Sequence, residues 1–171
     1  MRRAGSVIGS IIFFIIAPCT VAGLIPYWIS RWRFMPPFLD AEFARVVGAA
    51  LTAAGAAVLI DSFARFALQG LGTPAPVLPT RHLVVSGLYR HVRNPMYVGV
   101  VGAILGQALL FADAGLLLYG ALVWLAFHTF VVLYEEPALA RSFGAQYEAF
   151  RAHVPRWIPR MTPWGAHKRE K

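Results

Sequence analysis

Long apolar runs separated by short polar stretches set the pattern of this chain. Residues 6–29 hold no charged side chain, and a helix needs only about 20 apolar residues to cross a hydrocarbon core. Pro18 and Pro26 predict that this first run kinks or ends within its length, which a packed membrane bundle tolerates. A second run, about residues 43–60, is mostly Ala, Gly, Val and Leu. Its small residues Gly48, Ala49, Ala53, Gly55 and Ala56 suit close helix packing. A third begins at Asn94-Pro95, where Asn94 is placed to cap the first amides and Pro95 fits a position that needs no N–H. It runs to about residue 112; Asp113, Ala114 and Gly115 then turn the chain, and a fourth run continues to about residue 134. The third and fourth runs predict a hairpin with both outer ends on one side of a membrane. The fold expected is all-α: a polytopic membrane helical bundle of about four transmembrane helices, forming one domain over residues 1–171.

Composition strengthens this reading. The 171 residues are 58% hydrophobic and 14% charged, against roughly half and a quarter in a soluble domain. Arg2 and Arg3 precede the first run, as in a secretory signal, but the run is too long for a signal core. Pro18 directly before Cys19 also disfavours a lipoprotein-type cleavage site, so a retained span is expected. Cys19 is the single cysteine, which excludes a disulfide framework and a Cys/His metal cluster, and no metal site is expected. The formal net charge is +8. Because the basic residues border the apolar runs, they point to membrane lipids and orientation rather than to nucleic acid. Of the 16 Lys and Arg, 13 lie at the N-terminus, between residues 65 and 93, or from residue 141 onward. Positive-inside counting then puts both termini and the large loop in the cytoplasm, in an integral, multi-pass protein of an inner (plasma) membrane.

Three stretches carry candidate chemistry. In Gly87-Leu-Tyr-Arg-His-Val-Arg-Asn-Pro-Met-Tyr-Val-Gly99, cationic and imidazole groups run straight into a helix N-terminus, whose free amides favour an anionic group. Border arginines alone would only orient the helix. Tyr134-Glu135-Glu136-Pro137 sets two carboxylates at the end of the fourth run, against the macrodipole there at a cost of about 0.3–1 kcal/mol each. Neighbours on a regular helix point about 100° apart, and Pro137 predicts a break that lets the two acids converge. The hairpin should bring both clusters to one face. Farther on, Phe143, Tyr147, Phe150 and Val154 recur at helical spacing, which predicts a C-terminal amphipathic helix on the cytoplasmic side. That helix either anchors at the interface or covers the pocket. Gly99, Gly102, Ala103 and Gly106 form a small-residue stripe suited to packing, and His128, within the fourth run near Trp124, suits an inter-helix hydrogen bond.

Taken in order, Gly72-Thr-Pro-Ala-Pro, the Leu83–Gly99 stretch, Tyr134-Glu-Glu-Pro-Ala-Leu, Phe143-Gly-Ala-Gln-Tyr-Glu-Ala-Phe and Val154-Pro-Arg-Trp-Ile-Pro resemble the isoprenylcysteine carboxyl methyltransferase family of the bacterial type. Related phospholipid methyltransferases share the core pattern, and the resemblance covers about residues 65–160. It implies an S-adenosylmethionine site opening to the cytoplasm, with Arg93, Asn94, Pro95, Tyr97 and Gly99 lining it together with Glu135 and Glu136. Many members carry His where this chain has Asn94, and an amide hydrogen-bonds but takes no charge. Arg151 and Arg156 fall where the family keeps a basic tail near the methyl acceptor. The reaction implied is methyl transfer to a lipidic or small acceptor bearing a carboxylate, thiol or amine. In that reaction Tyr97 or Tyr89 would face the sulfonium.

Two other function classes compete. Sterol-reductase-like membrane proteins share a similar Arg-x-x-Tyr-x-Gly and tail pattern but use NADPH. A non-catalytic membrane protein could also keep the same scaffold. The Glu135-Glu136 pair favours methyl transfer over both.

Overall fold

A computed structural model describes residues 16–38, 41–65 and 83–165. Residues 6–15 of the first expected span, the Gly72–Pro76 motif, Arg81 and His82 lie outside the described residues. Those described form helices and turns with no strand: α1 (Ile16–Ser30), α2 (Phe43–Arg65), α3 (Pro95–Phe111), α4 (Ala114–Phe143) and α5 (Ala145–His153). A 3-10 turn, Gly87–Arg90, precedes α3. Of the four expected spans, α2 and α4 are long and apolar enough to cross a membrane; α3 is apolar but shorter, as is the part of α1 that the described residues cover. Val46, Val47 and Ile60 on α2 and Leu118, Leu122 and Leu125 on α4 are exposed. So much outward-facing apolar surface belongs against lipid, and the chain is a membrane protein.

Local signals set the helix ends. Pro95 opens α3 at its first turn. Ala112 adopts a left-handed conformation (φ 55°) to close α3. Asp113 then caps α4, its carboxylate accepting from the Leu116 amide at 3.1 Å. The expected hairpin is present. Asn94, however, sits at the start of α3 without capping it; its side-chain amide is drawn off to the tail instead.

Helices α2 and α3 run antiparallel with almost nothing between them. A Cβ at Gly48 would stand 2.5 Å from the Leu110 nitrogen, and one at Gly106 would stand 2.5 Å from the Thr52 nitrogen. A Cβ at Gly55 would lie 2.6 Å from the Gly99 oxygen. Only glycine permits such backbone contact. Of the five small residues expected on α2, Gly48 and Gly55 are buried, whereas Ala49, Ala53 and Ala56 face outward.

Two of the prolines that the sequence pattern places as kinks or breaks, Pro26 and Pro137, are absorbed as widened turns, whereas Pro18 stays in regular helix. A π turn, Thr20–Leu24, precedes Pro26, and another, Val131–Glu135, precedes Pro137. Glu136 stays helical (φ −61°, ψ −44°), so α4 is not broken where the pair of acids stands. Proline has no N–H to donate and its ring crowds the carbonyl four residues back; a π turn moves that carbonyl aside. At Pro26 the carbonyl concerned, on Ala22, accepts instead from the buried Gln107 side chain at 2.7 Å. Gln107 also accepts from the Trp32 indole at 3.1 Å.

After α4, Gly144 (φ 49°) turns the chain into α5. The face formed by Tyr147, Phe150 and Val154 is buried against Leu139, Phe143, Leu83, Val85 and Trp164. At about 1.5–3 kcal/mol for each fully buried large side chain, this satellite core holds α5 to the protein. The apolar face expected to meet membrane or pocket is therefore spent on internal packing.

Candidate functional site

The antiparallel order brings the end of α2, the start of α3 and the middle of α4 to one end of the bundle. There the two adjacent acids take different partners. Glu135 accepts a hydrogen bond from the Tyr97 hydroxyl at 2.9 Å. Glu136 accepts a forked pair from Arg156, Nε to Oε1 at 2.7 Å and Nη2 to Oε2 at 2.9 Å. Arg93 adds an ion pair to the same carboxylate at 3.0 Å. The side chains of Arg93 and Glu136 are each only 10% exposed, and Arg156 is 31% exposed. Two guanidiniums face one carboxylate, so this knot retains one positive charge.

Residues 154–165 run back over the segment before α3. The Arg93 amide donates to the Pro155 carbonyl at 2.9 Å, and Arg160 and Trp164 donate to the carbonyls of His91 and Arg90, each at 2.9 Å. Side chains repeat the pattern. Asn94 donates to the Arg156 carbonyl at 3.2 Å, Arg90 to that of Trp164 at 2.6 Å, and the His91 Nδ1 to that of Arg160 at 2.8 Å. Only a protonated Nδ1 can donate to a carbonyl, which sets the His91 tautomer.

Aromatic rings wall the Glu135 side. Tyr97 packs against Phe127 at 4.6 Å between centroids and lies 6.5 Å from Trp157. The Trp157 indole donates to the His128 Nδ1 at 3.1 Å, and Trp124 stacks on the same imidazole. His128 thus makes an inter-segment hydrogen bond, reaching the tail. Tyr89, in the 3-10 turn, is buried, and that burial holds its phenol well above the usual range. Burial also raises Tyr147, whose hydroxyl accepts from Arg93 at 3.5 Å. The Glu136 hydrogen bonds raise Arg156 further.

Seven of the ten residues singled out in the sequence gather here: Arg93, Asn94, Pro95, Tyr97, Glu135, Glu136 and Arg156. Tyr89 lies close by, near enough for the charge of Glu135 to act on its phenol. Gly99 instead faces Gly55, Val58 and Leu59 of α2. Arg151 is half-exposed on α5, paired with Glu148 at 2.8 Å. Sequence reading missed Asp61, whose carboxylate is tied to Arg65 at 2.8 Å and acts on the nearby Tyr89 phenol, and Tyr147, which meets Arg93. An Asp inside an otherwise apolar helix with Arg four residues on was the available signal for the first; nothing local marked the second.

An all-helical membrane protein with a buried charge knot and an aromatic-walled carboxylate at one helical end is the class that fold and site define. Residues 43–146 match the phospholipid methyltransferase family. The chain belongs to that family. It is also 37% identical over 78 residues to protein-S-isoprenylcysteine O-methyltransferase of Schizosaccharomyces pombe. The match covers 45% of this chain and 33% of that relative, so the chain spans about a third of its length.

Proposed function

We propose that the chain is an S-adenosylmethionine-dependent membrane methyltransferase acting on a lipidic or small acceptor at the cytoplasmic face of the bilayer. The observation that carries this is the meeting of Tyr97 with Glu135 and of Arg93 with Glu136 within the region matched to a methyltransferase family, with Arg156 joining Glu136 from just beyond it. On this reading all four apolar helices traverse the bilayer, α3 as a short span, with α5 on the cytoplasmic side.

The residues fit the cofactor's chemistry. Glu135 offers an acceptor for an amino group or ribose hydroxyls, and the excess positive charge of the Arg93–Glu136–Arg156 knot suits a carboxylate. Tyr97, Phe127 and Trp157 present aromatic surface of the kind that attracts a cationic sulfonium. When bound, the cofactor supplies an electrophilic methyl group whose leaving group departs neutral. This chain's own residues then position and exclude water. Tyr97 fixes the Glu135 carboxylate, Arg93 and Arg156 fix Glu136, and the tail over residues 90–94 covers the cluster. A carboxylate or thiolate acceptor needs no general base, whereas an amine must first lose a proton. Arg156 stands nearest the acceptor in this assignment, with Arg151 at the periphery. Gly99 acts through helix packing.

The family match favours methyl transfer over the NADPH-dependent reductase reading. Calorimetry on the purified chain tests the proposal: S-adenosylmethionine should bind, and Glu135→Ala should weaken it. Absence of binding by folded protein, together with no radiolabelled methyl entering a lipid extract, would overturn it.

A further inference from the structure

A recess opens beside the Gly87–Arg90 turn. It is a cavity of about 470 Å³ with Ala57, Val58 and Leu88 as apolar wall, Arg65 and Arg90 as cationic lining and the His91 imidazole beside them. Asp61 also lines it, but Arg65 ties both oxygens of that carboxylate, Nε and Nη2 each at 2.8 Å. Arg90 uses only its Nε, on the Trp164 carbonyl. The remaining guanidinium N–H groups of both arginines make no hydrogen bond or ion pair among the described residues. Two guanidiniums against one carboxylate leave one positive charge facing the space.

Its position is equally specific. Gly87 holds a left-handed φ of 53°, and a Cβ there would collide with the Arg65 guanidinium. Glycine therefore lets that group lie directly against the turn. The cavity is at the end of α2, where Ile60 and Ala64 are exposed on the same apolar helix. A ligand seated here would have guanidinium forks at one end and a lipid-facing helix at the other. Forked donors in the fixed plane of arginine match the oxygens of a phosphate.

We propose that this cavity binds the phosphate head group of an anionic amphiphile, with the ligand's chain lying along the apolar wall of α2. The site is separate from the Tyr97–Glu135 cluster and does not rest on methyl transfer.

Native mass spectrometry of the full chain in neutral detergent tests it, with dioctanoyl phosphatidylglycerol, dioctanoyl phosphatidylcholine and glycerol 3-phosphate as probes. Phosphatidylglycerol should bind saturably and phosphatidylcholine should not. Arg65→Gln and Arg90→Gln should each weaken binding about tenfold, while Arg141→Gln, exposed on α4, leaves it unchanged. Should Arg90→Gln fail to fold because it also holds the tail, Arg65→Gln alone decides. Glycerol 3-phosphate binding with the same arginine dependence supports the phosphate site and assigns it a soluble ligand; lipid-only binding assigns it to the bilayer. Equal binding of the two lipids, unchanged affinity in Arg65→Gln, or an equal loss in Arg141→Gln would overturn the proposal.

Discussion

Glu136 accepts from two arginines that belong to distant parts of the chain, Arg93 before α3 and Arg156 after α5. Removing one partner of a buried ion pair leaves the others without compensation, at a cost of about 3–5 kcal/mol. Solvent access at Arg156 softens this, so Glu136→Gln is expected to destabilise the fold by about 3 kcal/mol, read as a lower unfolding temperature in detergent. Tyr97→Phe makes a different prediction. It deletes one hydrogen bond to a charged group, worth about 1.5–3 kcal/mol, without unpairing any cation. Cofactor affinity in calorimetry should fall about tenfold while unfolding temperature drops less than for Glu136→Gln. Adjacent acids look equivalent in sequence; their partners make one a structural knot and the other the free-standing candidate for ligand contact. That division was unreadable beforehand, because it depends on where a tail segment some 20 positions later returns (Arg156 to Glu136).

At the scale of elements, the hairpin, the small-residue contact and the aromatic face of α5 were readable from apolar spacing and turn residues. The treatment of proline was not. Sequence rules score proline against a regular α-helix, and both Pro26 and Pro137 sit after a π turn that such rules leave out. Likewise the α5 stripe announced an apolar face but not its partner, which Leu83, Val85 and Trp164 supply from distant positions. The α2–α3 contact gives a direct test. Gly55→Leu places a Cβ 2.6 Å from the Gly99 oxygen and should cost at least 1–3 kcal/mol by overpacking. Gly102→Ala meets only the Leu51 Cδ1 at 3.8 Å and should be neutral or stabilising, since alanine is the better helix former by about 1 kcal/mol. Paired thermal unfolding curves check both.

The whole molecule is closed by its tail. Residues 155–165 contribute Arg156 to the charge knot, Trp157 to the aromatic wall and the carbonyls that hold Arg90, His91 and Asn94. Ending the chain at residue 154 should leave the α2–α3 contact formed, so helical content by circular dichroism should persist. S-adenosylmethionine affinity should fall by at least tenfold, because water then reaches Glu136 and the tail's contribution to positioning is lost. Neighbouring helices α2 and α3 touch backbone to backbone at Gly48, Gly55, Gly99 and Gly106, which leaves them little room to slide past one another. Motion that admits a ligand to the Tyr97–Glu135 cluster is therefore expected elsewhere among the described residues, where the clasp beyond α4 is held by side chains with rotatable bonds. One pair of helices is the anvil, and access to that cluster falls to the opposite flank.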